Sequence, residues 1–568
     1  MPHTLRNVSL AELPLPLATH TQERSLLDPL SLITPKREVR TLTRAQIAFL
    51  ISQGHLLTLH RGFVYRLNSL LASHPGGELG VLHYIGRDAT DEIESVHPVF
   101  ALERMKHFVV GKVADEDWPG EDVVDSIGWK PLVPPVHLGW PGKAEAYIGV
   151  PSVQNTLALM KLYEVDGYPC KGSPIGTTLP FLLATDLEPP PPPPEICPIR
   201  QRQLNISYRK FRREMLQEPG LFDLDWWSLY RWQIYRISAF FLSFIGFYLF
   251  ATKKWHLAVS AVSLGFWMHQ IMFIAHDAGH TQLTGNRDID NIIGGFIASY
   301  ASGMSLGWWS SQHDVHHMVT NHPEHDPDIQ LLPFFAFNTR FFDSLYSTFH
   351  ACTMHFDAPT RFLIQYQHVF FYPVMIFARF SLIGKSYYYL ATKAKADWFR
   401  TYEVVGIAVW FVWFGLLLKN MSNGGLDGWV TRAAYVFIML VSVCPIHVQI
   451  VLSHSAQDSN DMGVYEGFVH RQLRTTMDVS CRSDLDWIHG GLHMQIAHHL
   501  FPRLSRPNLR RATVYVKQWA LENKIEFKEM NFTQGNDQMV GMLADIAGQC
   551  RALCAKADDI ARGVVPLE

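Results

Sequence analysis

WHLAVSAVSLGFWMHQIMFIAHDAGH, Trp255 to His280, carries no Asp, Glu, Lys or Arg from Trp255 to Ala275 and closes on two histidines. A transmembrane helix needs about 20 mostly apolar residues. The stretch therefore reads as a membrane span whose last turn presents His276 and His280 together, because residues four apart on a helix are neighbours. Ala433 to Gln457 is equally free of charge. Ile234 to Ala251 is a weaker span, with Arg236 near one end, where a long side chain can reach the interface. Val404 to Leu418 is short. The sequence predicts these four spans, arranged as two hairpins. Asn291 to Gln312, rich in Gly and Ser, and Phe362 to Ala378, with Pro373, fit interfacial or re-entrant segments better than full crossings. Lys253, Lys254, Lys419 and Arg432 fall on the side away from the histidines, so loop charge does not decide orientation.

The rest of the composition agrees with a partly lipid-buried chain. Charged residues are 18% of 568, below the roughly 25% of soluble domains. The balance of 49 Lys and Arg against 52 Asp and Glu argues against a nucleic-acid binder. Seven cysteines without a C-x-x-C argue against a disulfide scaffold or a cysteine-rich zinc module. Histidine is the outlier, at 28. The first residues lack the basic-then-apolar order of a signal peptide, so the N-terminus is expected in the cytosol. Five zones follow: an extension over 1–35; a small α+β domain over 36–114, with a hairpin predicted in His55 to Leu67; a spacer over 115–205, stiffened by the proline run Pro189 to Pro194; an all-α membrane domain over 206–510; and a cytosolic helical tail over 511–568.

Within the small domain lies HPGGELGVLHYIGRDATDEIESVHP, His74 to Pro98. A haem iron held for electron transfer takes two axial ligands, since an open position would bind oxygen or substrate. His74 and His97 can provide the pair, and a Pro-Gly-Gly turn lets backbone pass close to a flat macrocycle. The stretch resembles the cytochrome b5 family, in which HPGG carries one axial histidine and a later His-Pro the other; the match includes Gly86, Asp88, Ala89 and Thr90. The resemblance implies haem b on His74 and His97.

Three more clusters sit beside the apolar segments: His276 with His280, His313 with His316 and His317, and Gln495 with His498 and His499. Each is a chelating edge of about one helical turn. Imidazole suits Fe, Zn, Cu or Ni, so ligand type alone does not choose the metal. Seven histidines exceed one tetrahedral or octahedral site and point to two metals; His454, at the end of the fourth span, is an eighth candidate. One site requires all clusters on one membrane face, and two hairpins achieve that provided Asn291 to Gln312 does not cross. His322, His325, His350, His355 and His368 are expected to be solvated or locally bonded.

HDAGH, HDVHH with NHPEHDPDIQ, and GGLHMQIAHHLFPR resemble the membrane-bound fatty-acyl desaturase family. The likeness is to its front-end branch, which fuses a cytochrome b5 domain to a four-span enzyme and has Gln in place of the first histidine of the third box. The resemblance implies a non-haem di-iron centre on His276, His280, His313, His316, His317, His498 and His499, with His454 as a further ligand and Gln495 close by. Ala497 stands where many members have Glu. Reducing O₂ to two waters takes four electrons, two from substrate C–H bonds and two from outside. An NAD(P)H-cytochrome b5 reductase is therefore the implied partner, feeding the fused haem domain. An electron-transfer module without chemistry leaves the clustered imidazoles unexplained. A zinc hydrolase would need no reductant, whereas a lipid hydroxylase would need the same parts. Among front-end enzymes, HDAGHTQLTG, HDPDIQLLPFF and WIHGGLHMQIAHHLFPRLSRPNLR look most like the fungal Δ8-sphingolipid group. That likeness implies an endoplasmic reticulum membrane enzyme with its haem and metals facing the cytosol, acting on the sphingoid base of ceramide. A Δ5 or Δ6 front-end fatty acyl desaturase is the alternative. Trp487, His489 and His493 are candidates to meet the polar end of the lipid, whose amide and hydroxyls need partners.

Overall fold

The structure is a computed structural model that describes residues 34, 38–121, 123–157, 177–421 and 428–564. The expected extension over 1–35 lies almost wholly outside them. The N-terminal domain is a four-stranded sheet in the order β1–β4–β3–β2, made of β1 (Thr41–Leu42), β2 (Leu57–His60), β3 (Phe63–Arg66) and β4 (Val109–Val113). β2 and β3 form the predicted hairpin, with His60 opposite Phe63. Its two turn residues, Arg61 and Gly62, have φ of 49° and 77°, the backbone sense whose twist matches paired strands. Helix α1 (Arg44–Ser52) opens on a Thr43–Gln46 capping box. Helix α2 (Thr90–Val96) ends with His97 as its C-terminal cap.

Residues 115–205, expected as a spacer, instead pack onto this domain over their described part. The Trp129 indole donates to the Gly86 carbonyl at 2.9 Å, and Leu132 N donates to the same oxygen at 3.0 Å. Trp129, Leu132, Trp140, Leu179 and Leu187 are buried in one core with Ile51, Tyr65 and Ile85. Burying each such side chain contributes roughly 1.5–3 kcal/mol.

Helix α3 (Pro198–Gln217) crosses the expected boundary at 205 and docks the N-terminal domain electrostatically. Arg209 grips Asp91 through Nε at 2.7 Å and Nη2 at 3.2 Å, and Nη2 also reaches Asp88 at 3.3 Å. Arg212 donates to the Glu94 carbonyl, and Glu94 also meets His60 and Arg61. Asp91 and Arg209 are both buried, so removing one leaves a buried charge alone, a loss of about 3–5 kcal/mol. Arg209→Met is expected to lower the melting temperature of the N-terminal domain. Arg209→Met with Asp91→Leu is expected to recover most of that loss, because removing both charges also removes their desolvation cost. Equal losses in the single and double variants would show that the pair is not coupled.

The long helices follow: α4 (Trp226–Leu249), α5 (Lys254–Gly279), α6 (Arg287–Gly295), α7 (Leu306–Val319), α8 (Gln367–Thr392), α9 (Trp398–Asn420) and α10 (Trp429–Ser455). Among the described residues α5, α8, α9 and α10 are long and apolar enough to cross a membrane. Two expectations change here. The span expected at Ile234–Ala251 lies in α4, whose first half carries Arg231, Gln233 and Arg236 and which falls outside that set. The stretch expected as an interfacial segment around Pro373 is part of an unbroken 26-residue helix. Bonding nevertheless separates α8 from the others. At its start Gln367 accepts from Ala336 N at 2.9 Å and donates to Leu543 O at 3.0 Å. Beyond its end Lys393 donates to Phe349 O at 3.2 Å and Lys395 to Ala72 O at 2.5 Å. Both ends of α8 are thus tied to the face that carries the histidine clusters.

The remaining helices meet at their far ends. The Tyr248 hydroxyl donates to Leu417 O at 2.7 Å, Arg432 Nε to Leu418 O at 2.8 Å, and the Ser260 and Tyr435 hydroxyls lie 3.0 Å apart. Between α6 and α7 the chain forms a π-helical turn, Phe296–Ala301, and reverses, with Met304 N bonding back to Ala298 O. Asn291 to Gln312 therefore dips and returns.

Helices α11 (Phe468–Arg474), α12 (Gln495–Leu500), α13 (Leu509–Glu522) and α14 (Phe532–Ala561) complete a cap. Tyr208 and Phe211 of α3 pack with Phe501 and Trp519, so the expected boundary at 510 cuts through a shared core. Met539, Leu543 and Ile546 of α14 pack with Phe371 and Met375 of α8. The tail is helical and fastened as far as Cys554.

Candidate metal centre

Helix α5 delivers His276 in its last turn and His280 as its cap, α7 delivers His313, His316 and His317, α10 delivers His454, and α12 delivers His498 and His499. These converge as two groups. Ring nitrogens of His276, His280, His313 and His498 all lie within 4.8 Å of one another, and those of His316, His454 and His499 do the same. His317 sits between the groups, its ring centroid 4.6 Å from His313, 4.9 Å from His498 and 4.2 Å from His499. The buried Gln495 adjoins them through α12, and its side-chain oxygen has no hydrogen-bond partner.

Partners the sequence reading did not single out hold the rings. Asp326 Oδ2 faces His316 Nδ1 at 2.8 Å and accepts from Asn321 N at 2.7 Å. Gln472 Oε1 faces His499 Nδ1 at 2.8 Å while its amide donates to His317 O at 2.9 Å. Asp277 Oδ1 lies 3.2 Å from His276 Nδ1; Tyr230 donates to its Oδ2 at 2.8 Å, and Arg506 Nε donates to both oxygens at 3.0 and 3.1 Å. Such contacts fix which nitrogen of each ring faces a metal. Asp277 and Asp326 lie inside the sequence motifs; Gln472 has no local signature. Trp309 covers the first group, its ring stacked on His313 at 4.4 Å, and the absence of a side chain at Gly279 makes room for it.

The donor set fits metal ions. His280 Nε2, His317 Nδ1, both nitrogens of His498 and His499 Nε2 are buried without a hydrogen-bond partner. An unmet buried polar atom costs about 1–3 kcal/mol, and a bound metal would satisfy the lone pairs together. Burial, reinforced by neighbouring imidazoles, holds His280, His313, His317, His498 and His499 well below the usual histidine range, hence neutral. His316 is the exception. Burial opposes its charged form, but Asp326 and Asp328 outweigh that and raise it to about 9.

The two histidines of the N-terminal domain expected as an axial pair also meet. The His74 and His97 ring centroids are 5.9 Å apart. That is room for one iron between two ring nitrogens with bonds of about 2 Å, the length imidazole makes to divalent first-row metals. His74 Nδ1 faces Gly77 O at 2.9 Å and His97 Nδ1 faces Ile93 O at 2.9 Å, which leaves Nε2 of each as the free lone pair. Burial lowers both, His97 to about 4.

The His74 loop rests on α6 and α7, and Tyr84 of the same domain also reaches α7. A Cβ at Gly76 would lie 3.3 Å from Asp314 Oδ2, Arg287 donates to Pro75 O at 2.8 Å, and the Tyr84 hydroxyl donates to Met318 O at 2.7 Å. Asp314 and Met318 flank His316 and His317 on the same helix. The three candidates for the lipid's polar end lie close together, with the His489 and His493 ring centroids 5.1 Å apart, and each has its own partner. His489 Nδ1 lies 2.6 Å from Gln449 Oε1, the Trp487 carbonyl accepts from Gln270 at 2.7 Å, and His493 Nε2 turns to Asp486 at 3.2 Å.

Comparisons with known proteins agree with these two halves. Residues 253–529 match the family described as fatty acid desaturase, and residues 43–114 match the cytochrome b5-like haem/steroid binding domain. The Delta 8-(E)-sphingolipid desaturase of Emericella nidulans is 35% identical over 550 residues, covering 91% of this chain and 96% of that protein. The protein of the same name from Candida albicans is 34% identical over 586 residues, covering 91% and 97%. Delta(8)-fatty-acid desaturase 2 of Arabidopsis thaliana is 35% identical over 309 residues, covering 53% and 66%. With four helices among the described residues apolar enough to cross a membrane and a cytochrome b5 domain at its N-terminus, this chain belongs to the b5-fused membrane fatty acid desaturases, oxidoreductases that introduce double bonds into lipids.

Proposed function

We propose that the protein places a Δ8 double bond, of E geometry, in the sphingoid base of ceramide at the endoplasmic reticulum membrane. Its electrons come from NAD(P)H through a cytochrome b5 reductase and its own haem domain, and its haem and metal sites face the cytosol. The observation that carries the electron route is the seating of the N-terminal domain on α6 and α7: Arg287 of α6 donates to Pro75 of the HPGG loop, and Tyr84 donates to Met318 of α7, the helix that bears His313, His316 and His317. Fusion makes the encounter between the two redox sites intramolecular, at an effective concentration of about millimolar or above.

His74 and His97 would hold haem b; His276, His280, His313, His316, His317, His454, His498 and His499 would hold two irons, with Gln495 beside them. Iron held there activates O₂ and supplies an oxidant strong enough for an unactivated methylene pair, which no side chain can provide. The chain's own part is positional. Asp326, Gln472 and Asp277 orient the imidazoles, and Trp309 shields the first group from water.

The names of the fungal relatives support the substrate, as does the placement of buried polar groups. His269 and His447 lie seven residues before His276 and His454, on the same helix faces and about 10 Å along the axis. Both are buried, and His269 Nε2 has no partner. An extended chain advances about 1.2 Å per bond, so with C8 at the metals the amide and hydroxyls at C2 and C3 fall within reach of this layer. Expression in a yeast lacking such an enzyme, followed by mass spectrometry, is expected to yield Δ8-unsaturated long-chain bases. Δ5- or Δ6-unsaturated fatty acids with unaltered bases would overturn the substrate, and hydroxylated bases would overturn the reaction.

A further inference from the structure

We propose that His83, His137 and His325 form a third metal site, suited to zinc, that clamps the N-terminal domain to the helical domain. It is separate from the haem pair and from the eight histidines above, and it does not depend on the substrate reading.

The three come from distant parts of the chain. His83 belongs to the N-terminal domain, His137 to the layer that packs on it, and His325 to the loop after α7. One ring nitrogen from each lies within 4.8 Å of the other two. His83 Nδ1 and His137 Nε2 face each other at 2.9 Å. His325 Nδ1 is taken by the Thr348 hydroxyl at 3.2 Å, which leaves Nε2 as its free nitrogen. The ring centroids are 5.2, 4.9 and 4.0 Å apart, against 4.6, 5.1 and 4.6 Å for His316, His454 and His499; His137 is stacked on His325 at 22°, so a shared cation would turn one of those two rings out of the stack.

Packing alone is a poor account of the group. His83 Nδ1 and His137 Nε2 can share one proton between them at 2.9 Å, which leaves no such partner for the third ring, and His83 Nε2 on the far edge is buried without a partner; an unmet buried polar atom costs about 1–3 kcal/mol. A cation satisfies three lone pairs at once. Burial is the main cause that pushes His83 down to about 3 and His137 and His325 well below the ordinary range, so the rings are neutral, as ligands must be. His322 stacks on His325 at 4.0 Å and is held by Asp461 at 3.4 Å, which walls the site on one side. Arg87 and Arg471 are the nearby cations, and Glu466 receives both, Arg87 at its carbonyl and Arg471 at its carboxylate. An imidazole set of three with a water in the fourth position is a zinc arrangement. His325 adjoins Asp326, the carboxylate that orients His316, so the clamp would also fix the loop that supports the second histidine group.

The test is metal analysis of the purified full-length protein beside His137→Asn and His325→Gln. The wild type is expected to carry about one zinc beyond its non-haem iron, with X-ray absorption showing nitrogen ligands at about 2.0 Å. Each variant is expected to lose that zinc while keeping the haem absorbance and the non-haem iron. His499→Ala, a change in the other centre, is expected to keep it. Should both variants lose the haem spectrum, anomalous scattering at the zinc edge from wild-type crystals decides: a peak among His83, His137 and His325 supports the site. Absence of zinc in the wild type, or zinc retained by both variants, overturns it.

Discussion

His280→Ala and His499→Ala, one from each histidine group, are each expected to reduce product formation more than about 100-fold while leaving the haem absorbance intact. Changes to groups that merely support metal ligands cost about 10–100-fold, so loss of a ligand itself should exceed that range. The two substitutions probe different sites. His280 lies with His276, His313 and His498, and His499 with His316 and His454. If two irons are bound, each variant should lose iron from its own group, and neither should retain activity, because His317 bridges the two. Iron and product measured on the same preparations check this. Wild-type product from either variant would remove that group from the centre.

His97→Ala is expected to have an effect of similar size by a different route. With one axial ligand gone the low-spin haem spectrum should disappear, while non-haem iron stays at the wild-type level. Product should fall at least about 100-fold, the advantage that tethering confers over an encounter between free molecules. Absorbance of the purified protein and lipid analysis of the expressing cells read the two effects. His97 Nδ1 faces the carbonyl of Ile93, one turn back in α2, so the substitution removes a ring at the end of a helix and leaves the sheet untouched. An unchanged spectrum would remove His97 from the axial pair.

What the sequence made legible was whatever is local along the chain. Charge-free runs reported α5 and α10, spacings of three and four reported the histidine edges, and the alternation of His55 to Leu67 reported the hairpin. Long-range features left no such trace. Arg209 meets Asp91 across 118 residues, and His83 meets His325 from another domain, so neither pairing imposes a period that could be read. The layer formed by Trp129, Leu132, Trp140 and Leu187 was equally hidden, because its apolar residues stand singly between prolines and turns. The stretch Phe362 to Ala378 was expected as an interfacial or re-entrant segment, and the full length of α8 was hidden because Pro373 reads as a breaker, yet it lies in the second turn of a helix that continues past it. The same limit applies to His325, expected as solvated or locally bonded and found buried among rings.

The claim at the centre of this account is that each chain's haem domain serves the metal centre on which it is seated. Co-expression of His97→Ala with His499→Ala tests it, since one chain keeps its metal centre and the other its haem. Transfer within a chain gives no more product than the sum of the two variants expressed alone. Recovery of product to a large fraction of wild type would show that the haem domain works across chains, and would contradict the docking seen between the HPGG loop and helices α6 and α7.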